Sequence, residues 1–223
     1  MALSKKTLAK TKCHIPPISI LSFKLLLEAY FLALENQQFN LKWFEDQFTN
    51  HLITFMKKSD LTNHYPLDIT PQYPLIKDTL PIGHNNPKSL PIIDIRIFNW
   101  NSPESKEYFF EAKNLYENNY GTKKASSYIN RYIDTGIENF RTEKYTNGSI
   151  VGYVLNGKVE NIINSLNMQL FKNRKNYQAA NCIKKLEKSD KIIACPYCYE
   201  SLHHQDENNI KKIQHIFLDF CNT

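Results

Sequence analysis

The chain has 223 residues, 42% of them apolar and 22% charged, with a formal charge of +6. That length and balance suit one generous globular domain with a real core, and they exclude a disordered or fibrous chain. A pI near 8.9 tilts the partner class toward polyanions such as nucleic acid, although an ordinary soluble protein can carry the same charge.

Five scattered cysteines, an odd count, do not form a disulfide framework. The segment 1–12 carries four lysines but leads into Cys13, His14 and two prolines, so it does not read as a secretory signal. A reducing cytoplasm is the simplest compartment. The most apolar stretch, 18–34, is interrupted by Lys24 and Glu28 and is short for a bilayer, so no membrane association is expected.

Residues 18–36 lack Gly and Pro and are apolar nearly all round, which predicts a core helix. A second helix is predicted over 40–58, where Leu41, Phe44, Phe48, Leu52 and Phe55 make one stripe at spacings of three and four. The stretch 59–89 holds five prolines and reads as an irregular surface excursion. Two β-type runs follow at 92–100 and 107–115, joined by a turn-forming Asn-Ser-Pro-Glu-Ser. Tyr128, Ile129, Tyr132, Ile133, Ile137 and Phe140 predict another amphipathic helix, 149–155 a strand closed by Asn156-Gly157, and 159–173 a further helix. Runs at 192–199 and 212–220 read as closing strands. The order implies a single α/β domain over 1–223, with a mixed sheet flanked by helices and an N-terminal helical part.

The chemistry concentrates on the two central runs. Glu111 and Lys113 share one strand face, because side chains alternate along a strand, while the small Ala112 points inward under covering helices. A turn centred between Ser102 and Pro103 sets Asp94 opposite Glu111. Opposed residues have Cβ atoms about 4.5–5.5 Å apart, and two carboxylates so close repel unless a cation lies between them. Mg²⁺ is the natural choice, since it takes oxygen ligands and keeps several waters. Lys113 would orient or deprotonate an attacking water, or stabilise charge developing on a phosphate. A plainer reading makes Asp94 and Glu111 exposed strand charges paired with Arg96 and Lys113. The apolar neighbours Ile92, Ile93, Ile95, Ile97, Phe109 and Phe110 argue against it.

The pattern Asp94…Glu111-Ala-Lys113 resembles the PD-(D/E)xK nuclease superfamily. The resemblance implies a restriction-endonuclease-like fold and metal-dependent endonuclease activity, DNA being the favoured substrate. It carries Asp94 and Glu111 over as metal ligands for Mg²⁺ or Mn²⁺ and Lys113 as the catalytic lysine. The chain departs from the motif at one point: the proline is Pro91, not the residue just before Asp94. Members also carry an acid on an early helix, and Glu45, at the edge of the buried stripe, fits that place, with Glu28 a weaker choice. The stretch 128–140, with Lys144-Tyr145, Gly152-Tyr153-Val154 and the terminal 215–220, looks like small bacterial nuclease-type proteins of phage defence. That likeness implies an antiviral effector with a partner protein of the defence system, and it leaves homo-oligomers open.

Lys123, Lys124, Arg131, Arg141 and Lys144 lie among Tyr120, Tyr128 and Tyr132, a mixture that grips a phosphate backbone as a group, though each residue alone reads more simply as a solvated charge. The competing functional class is a non-catalytic interaction or immunity subunit that uses a tyrosine-rich surface around Tyr116, Tyr120 and Tyr128. Cys195 and Cys198 have the spacing of half a zinc site, but no second pair follows, and two buried strand cysteines are the better reading. His84, in the loop before the first central strand, reads as a loop histidine within reach of the site. No phosphate-binding Gly loop, nucleophile elbow or dinucleotide fingerprint occurs, in keeping with only six glycines.

Overall fold

The computed structural model describes residues 16–37, 39–75, 92–102, 105–172, 181–189 and 197–221. His84, Cys195, and 76–91 of the proline-rich stretch lie outside them.

Helix α1 (Ile18–Asn36) follows Pro17 and stops where Gln37 turns left-handed, at φ 50°. Helix α2 (Glu45–Met56) starts five residues later than its apolar stripe suggests. The cause is local: the Asn40 side chain accepts from the Lys42 amide (2.9 Å), holding 40–42 in a turn. The Phe44 amide then donates to Gln47 (2.8 Å), which satisfies one of the amides a helix start leaves open.

The stretch 59–89 is not an irregular excursion throughout. Ser59 caps a short helix, α3 (Asp60–His64), by accepting from the Leu61 amide (3.1 Å), and its hydroxyl donates to Glu28 (2.6 Å). Strand β1 (Leu67–Pro74) then forms despite Pro71 and Pro74. It lies at one end of the sheet, where a residue with no N–H to give is tolerated.

Strands β2 (Ile92–Asn99) and β3 (Glu107–Tyr116) pair antiparallel, Ile95 with Phe110 and Ile97 with Tyr108, in the expected register. Helix α4 (Ala125–Arg131), a π-helical turn (Tyr132–Ile137) and α5 (Glu138–Arg141) form the single helical run read from the sequence. Strand β4 (Gly148–Asn156) ends at Gly157, whose φ of 90° and contact with the Glu117 side chain leave no room for a Cβ. Helix α6 (Val159–Lys172) follows. Strands β5 (Cys182–Lys188), β6 (Cys198–His204) and β7 (Ile210–Asp219) close the fold.

β5 was not anticipated, because only Cys182 and Leu186 of its seven residues are well buried apolar groups and its charges suit a sheet edge. β6 begins where the expected strand at 192–199 ends. Its inward face is built of Ser201 and His203, so hydropathy did not mark it.

The seven strands are ordered β1-β2-β3-β4-β7-β6-β5. The central trio β3, β4 and β7 runs parallel and both flanks are antiparallel. One face is covered by α1 and α2, with Phe110, Ala112 and Val151 beneath them. The other is covered by the α4–α5 run and α6, over Phe109, Leu115, Ile150 and Phe217. This is an α/β domain with a mixed seven-stranded sheet between helical layers. Among the described residues, no helix is long and apolar enough to cross a membrane.

A chain of buried polar groups crosses from the π turn to β6. The Tyr132 hydroxyl meets His215 Nδ1 (2.9 Å), His215 Nε2 meets Ser201 Oγ (2.7 Å), and the same oxygen meets His203 Nε2 (2.7 Å). Burial pulls the His203 pKa down to about 4, with the Arg141 charge adding to it. Burial and His203 bring His215 down to about 3. Both shifts favour the neutral imidazoles at pH 7.

A histidine with a depressed native pKa contributes stability above its unfolded value of about 6.5, lost as pH falls, because the unfolded chain takes up protons that the native state refuses. The His203/His215 pair therefore destabilises the fold progressively from about pH 6.5 toward 3–4. Urea-unfolding midpoints at pH 7.5 and 5.0 should fall more in the wild type than in His203→Gln. Equal falls would assign the acid sensitivity elsewhere.

Candidate functional site

β2 and β3 part company just past the Ile95–Phe110 pair, and that separation makes the site. β3 continues, with amides that need acceptors. The Ala112 amide donates to the Asp94 carboxylate (2.6 Å), and the Asn114 amide donates to Glu45 (3.1 Å). Two side-chain carboxylates thus stand in for a partner strand. The Asn114 side-chain amide also approaches the Trp43 carbonyl (3.4 Å), so β3 holds the start of α2 in place.

Lys113 lies at the centre. Its ammonium donates to Glu111 (2.6 Å) and to the Ala112 carbonyl (2.7 Å), and stands 3.5 Å from Glu45 and 4.0 Å from Asp94. Ala112, as the alternation required, faces α1 and α2. On the opposite face Gly136 of the π turn lies near the Lys113 stem and Ile150. Only 4% of the Lys113 side chain is exposed.

The expected trio Asp94, Glu111 and Lys113 is brought together with Glu45. The plainer pairing of Asp94 with Arg96 is not what forms: Arg96 bonds to Glu107 (2.6 Å) and lies over the Tyr73 and Phe98 rings. Glu28 is used by Ser59, away from the cluster.

Three carboxylates face two cations here, Lys113 and the half-exposed Arg131, which donates to Glu45 (2.9 Å). Burial pushes the Asp94 pKa up to about 7, and the Glu111 charge adds to it, only partly opposed by Lys113. Burial raises Glu111 as well, against the pull of Lys113. Burial acts to lower Lys113, but Glu111, Glu45 and Asp94 outweigh it and hold it above its ordinary value. The acids around it thus favour the protonated form of Lys113.

The donor set suits a hard divalent cation, which takes carboxylate oxygens. The Tyr145 hydroxyl lies between the Ile92 carbonyl (3.1 Å) and the buried Glu111 carboxylate, so its one proton is shared between two acceptors. Among the described residues, no three His, Cys, Asp or Glu side chains are arranged to hold a metal ion as they stand, and the three acids are turned to the Lys113 ammonium. A metal would compete with the ammonium for them.

Of the basic residues singled out, Lys123, Lys124 and Arg131 line one cleft of about 480 Å³ with Phe44 and Tyr128. Lys123 donates to Tyr116 (2.8 Å). Arg141 does not join them: it forms a two-pronged pair with Glu138 (2.6 and 2.7 Å) and donates to the His204 and Gln205 carbonyls. Lys144 approaches Asn139 (3.3 Å) near the Tyr145 ring. Phe44 as a rim residue was missed, since its place in the helical stripe read as core; it precedes the helix and is 74% exposed. Tyr116, read as part of a tyrosine surface, is buried, and Tyr120 and Tyr128 pack on its ring. Compared with known proteins, the chain matches no family model, no curated protein and no solved structure.

Removing Lys113 leaves three acids without their central cation. Breaking a buried ion pair costs about 3–5 kcal/mol. Lys113→Ala should lower unfolding stability by about 3 kcal/mol at pH 8, and by less at pH 6. Asp94, with its raised pKa of about 7, takes up a proton in that interval and relieves the repulsion. Denaturant melts at the two pH values measure it, and a loss independent of pH would refute the coupling.

Proposed function

We propose that this protein is a divalent-metal-dependent nuclease of the PD-(D/E)xK type, acting on DNA. The single observation that carries the reading is the convergence of Asp94, Glu111 and Glu45 on Lys113, from two separating strands and a helix start. The cleft lined by Lys123, Lys124 and Arg131 supports a polyanionic substrate.

Asp94, Glu111 and Glu45 would hold Mg²⁺ or Mn²⁺, which when bound supplies an activated water and neutralises phosphate charge. The chain's own groups do the rest. Lys113, whose protonated form the surrounding acids favour, stabilises the negative charge that grows on the phosphate oxygens. Asp94 is anchored through Oδ2 by the Ala112 amide (2.6 Å). Arg131 holds Glu45 through a 2.9 Å hydrogen bond at the edge of the cluster. Ala112 and the apolar residues beneath it exclude water from one side, which strengthens these charges. An effector role in anti-phage defence rests on the likeness of 128–140 and 215–220.

One observation favours a second reading, a non-catalytic interaction subunit. The 2.6 Å contact of Lys113 with Glu111 already neutralises part of the cluster without any metal. The two readings separate on one assay. Purified protein should degrade DNA with Mg²⁺ or Mn²⁺ and not in chelator, and Glu111→Gln and Lys113→Gln should each slow cleavage by about 100-fold or more. Wild-type and variant proteins cutting at the same rate, or none cutting with metal bound, would leave the interaction subunit as the answer.

A further inference from the structure

The cleft beside the acid cluster does more than collect charge. Its rim carries Phe44, 74% exposed, immediately before Glu45. Tyr128, Lys123, Lys124 and Arg131 line it as well. Arg131 belongs to both places, because it lines the cleft and donates to Glu45 (2.9 Å). The cleft and the acid cluster are therefore joined through Arg131.

The volume of about 480 Å³ falls within the roughly 300–1,000 Å³ of sites that enclose a small ligand, and a nucleotide is of that class. Other large apolar side chains are exposed as well, Trp100 and Met168 among them, but Phe44 lies among the basic residues of the cleft, where its ring can meet a flat partner. A base offers that partner only when it is unpaired. In a duplex the ring faces are stacked and a protein meets base edges and backbone. Aromatic side chains beside basic ones are the arrangement that holds single strands, since every base has a π-face.

We propose that the cleft takes an unpaired nucleotide next to the scissile phosphate, its base on Phe44 and its phosphate on Lys124 and Arg131. The protein is therefore selective for single-stranded or locally unwound nucleic acid. The proposal rests on the nuclease reading for the position of the scissile phosphate, but its test does not require cleavage.

Binding of a labelled, non-self-complementary 20-nucleotide single strand and of its 20-base-pair duplex is measured by anisotropy at one ionic strength in chelator. The single strand should bind about 10-fold tighter than the duplex. Phe44→Ala should weaken single-strand binding by about 10-fold, the loss of one stacked base, and leave duplex binding and the melting temperature unchanged. Lys124→Gln should weaken both ligands and reduce the salt dependence of the single strand by about 0.7 in the log–log slope. Equal affinity for the two ligands, or single-strand binding indifferent to Phe44→Ala, overturns the proposal. Cleavage of DNA without a Phe44-dependent preference overturns the cleft's role alone. Phe44-dependent binding without any metal-dependent cleavage keeps the cleft and overturns the nuclease reading.

Discussion

The parting of β2 from β3 beyond the Ile95–Phe110 pair is the constraint on which the rest of the site depends. A central strand cannot leave its amides unpaired in a dry interior, because each orphaned group costs about 1–3 kcal/mol. Here the amides of Ala112 and Asn114 are met by Asp94 and Glu45. Carboxylates are strong acceptors, but they bring charge into a region where charge is expensive. Lys113 offsets that cost, and its ammonium is drawn among the acids for the same reason that a metal would be.

Both helical layers serve this arrangement. α1 and α2 seal the face that carries Ala112, and the start of α2 brings Glu45 to the end of β3. The π turn, with Gly136, lies along the Lys113 stem on the other face. π turns inside α-helices occur often at functional sites, and this one also sends Tyr132 to His215. The helix that packs over the lysine is thereby tied into the far half of the sheet.

Stability alone is usually served as well by apolar residues of equal volume as by a buried ion pair. This cluster keeps an excess of acid and a carboxyl pushed to about pH 7 at Asp94. The His203–Ser201–His215–Tyr132 chain makes a useful contrast. It is also buried and polar, yet its groups are neutral and nearly all matched, with His203 Nδ1 the exception. One cluster holds charge under stress, whereas the other holds a layer in place.

Local patterns in the sequence determined much of this. Alternation placed Glu111 and Lys113 on one face and Ala112 on the other, and the turn set the register that pairs Ile95 with Phe110. An apolar run without Gly or Pro marked α1, and helical periodicity marked the helical run through Tyr128 and Phe140, because one continuous apolar stripe records one buried face. Tertiary structure alone decided the rest. No periodicity reveals that Pro71 is harmless on an edge strand, or that Ser201 and His203 form an inward face by bonding to each other. Nor does it reveal that Arg141 is consumed by Glu138 and two carbonyls while Arg131 stays half-exposed beside Glu45. Pattern reports which side of an element is buried; which charges meet depends on contacts between residues far apart in the chain, as with Glu45 and Asn114, and only the packed sheet brings those together.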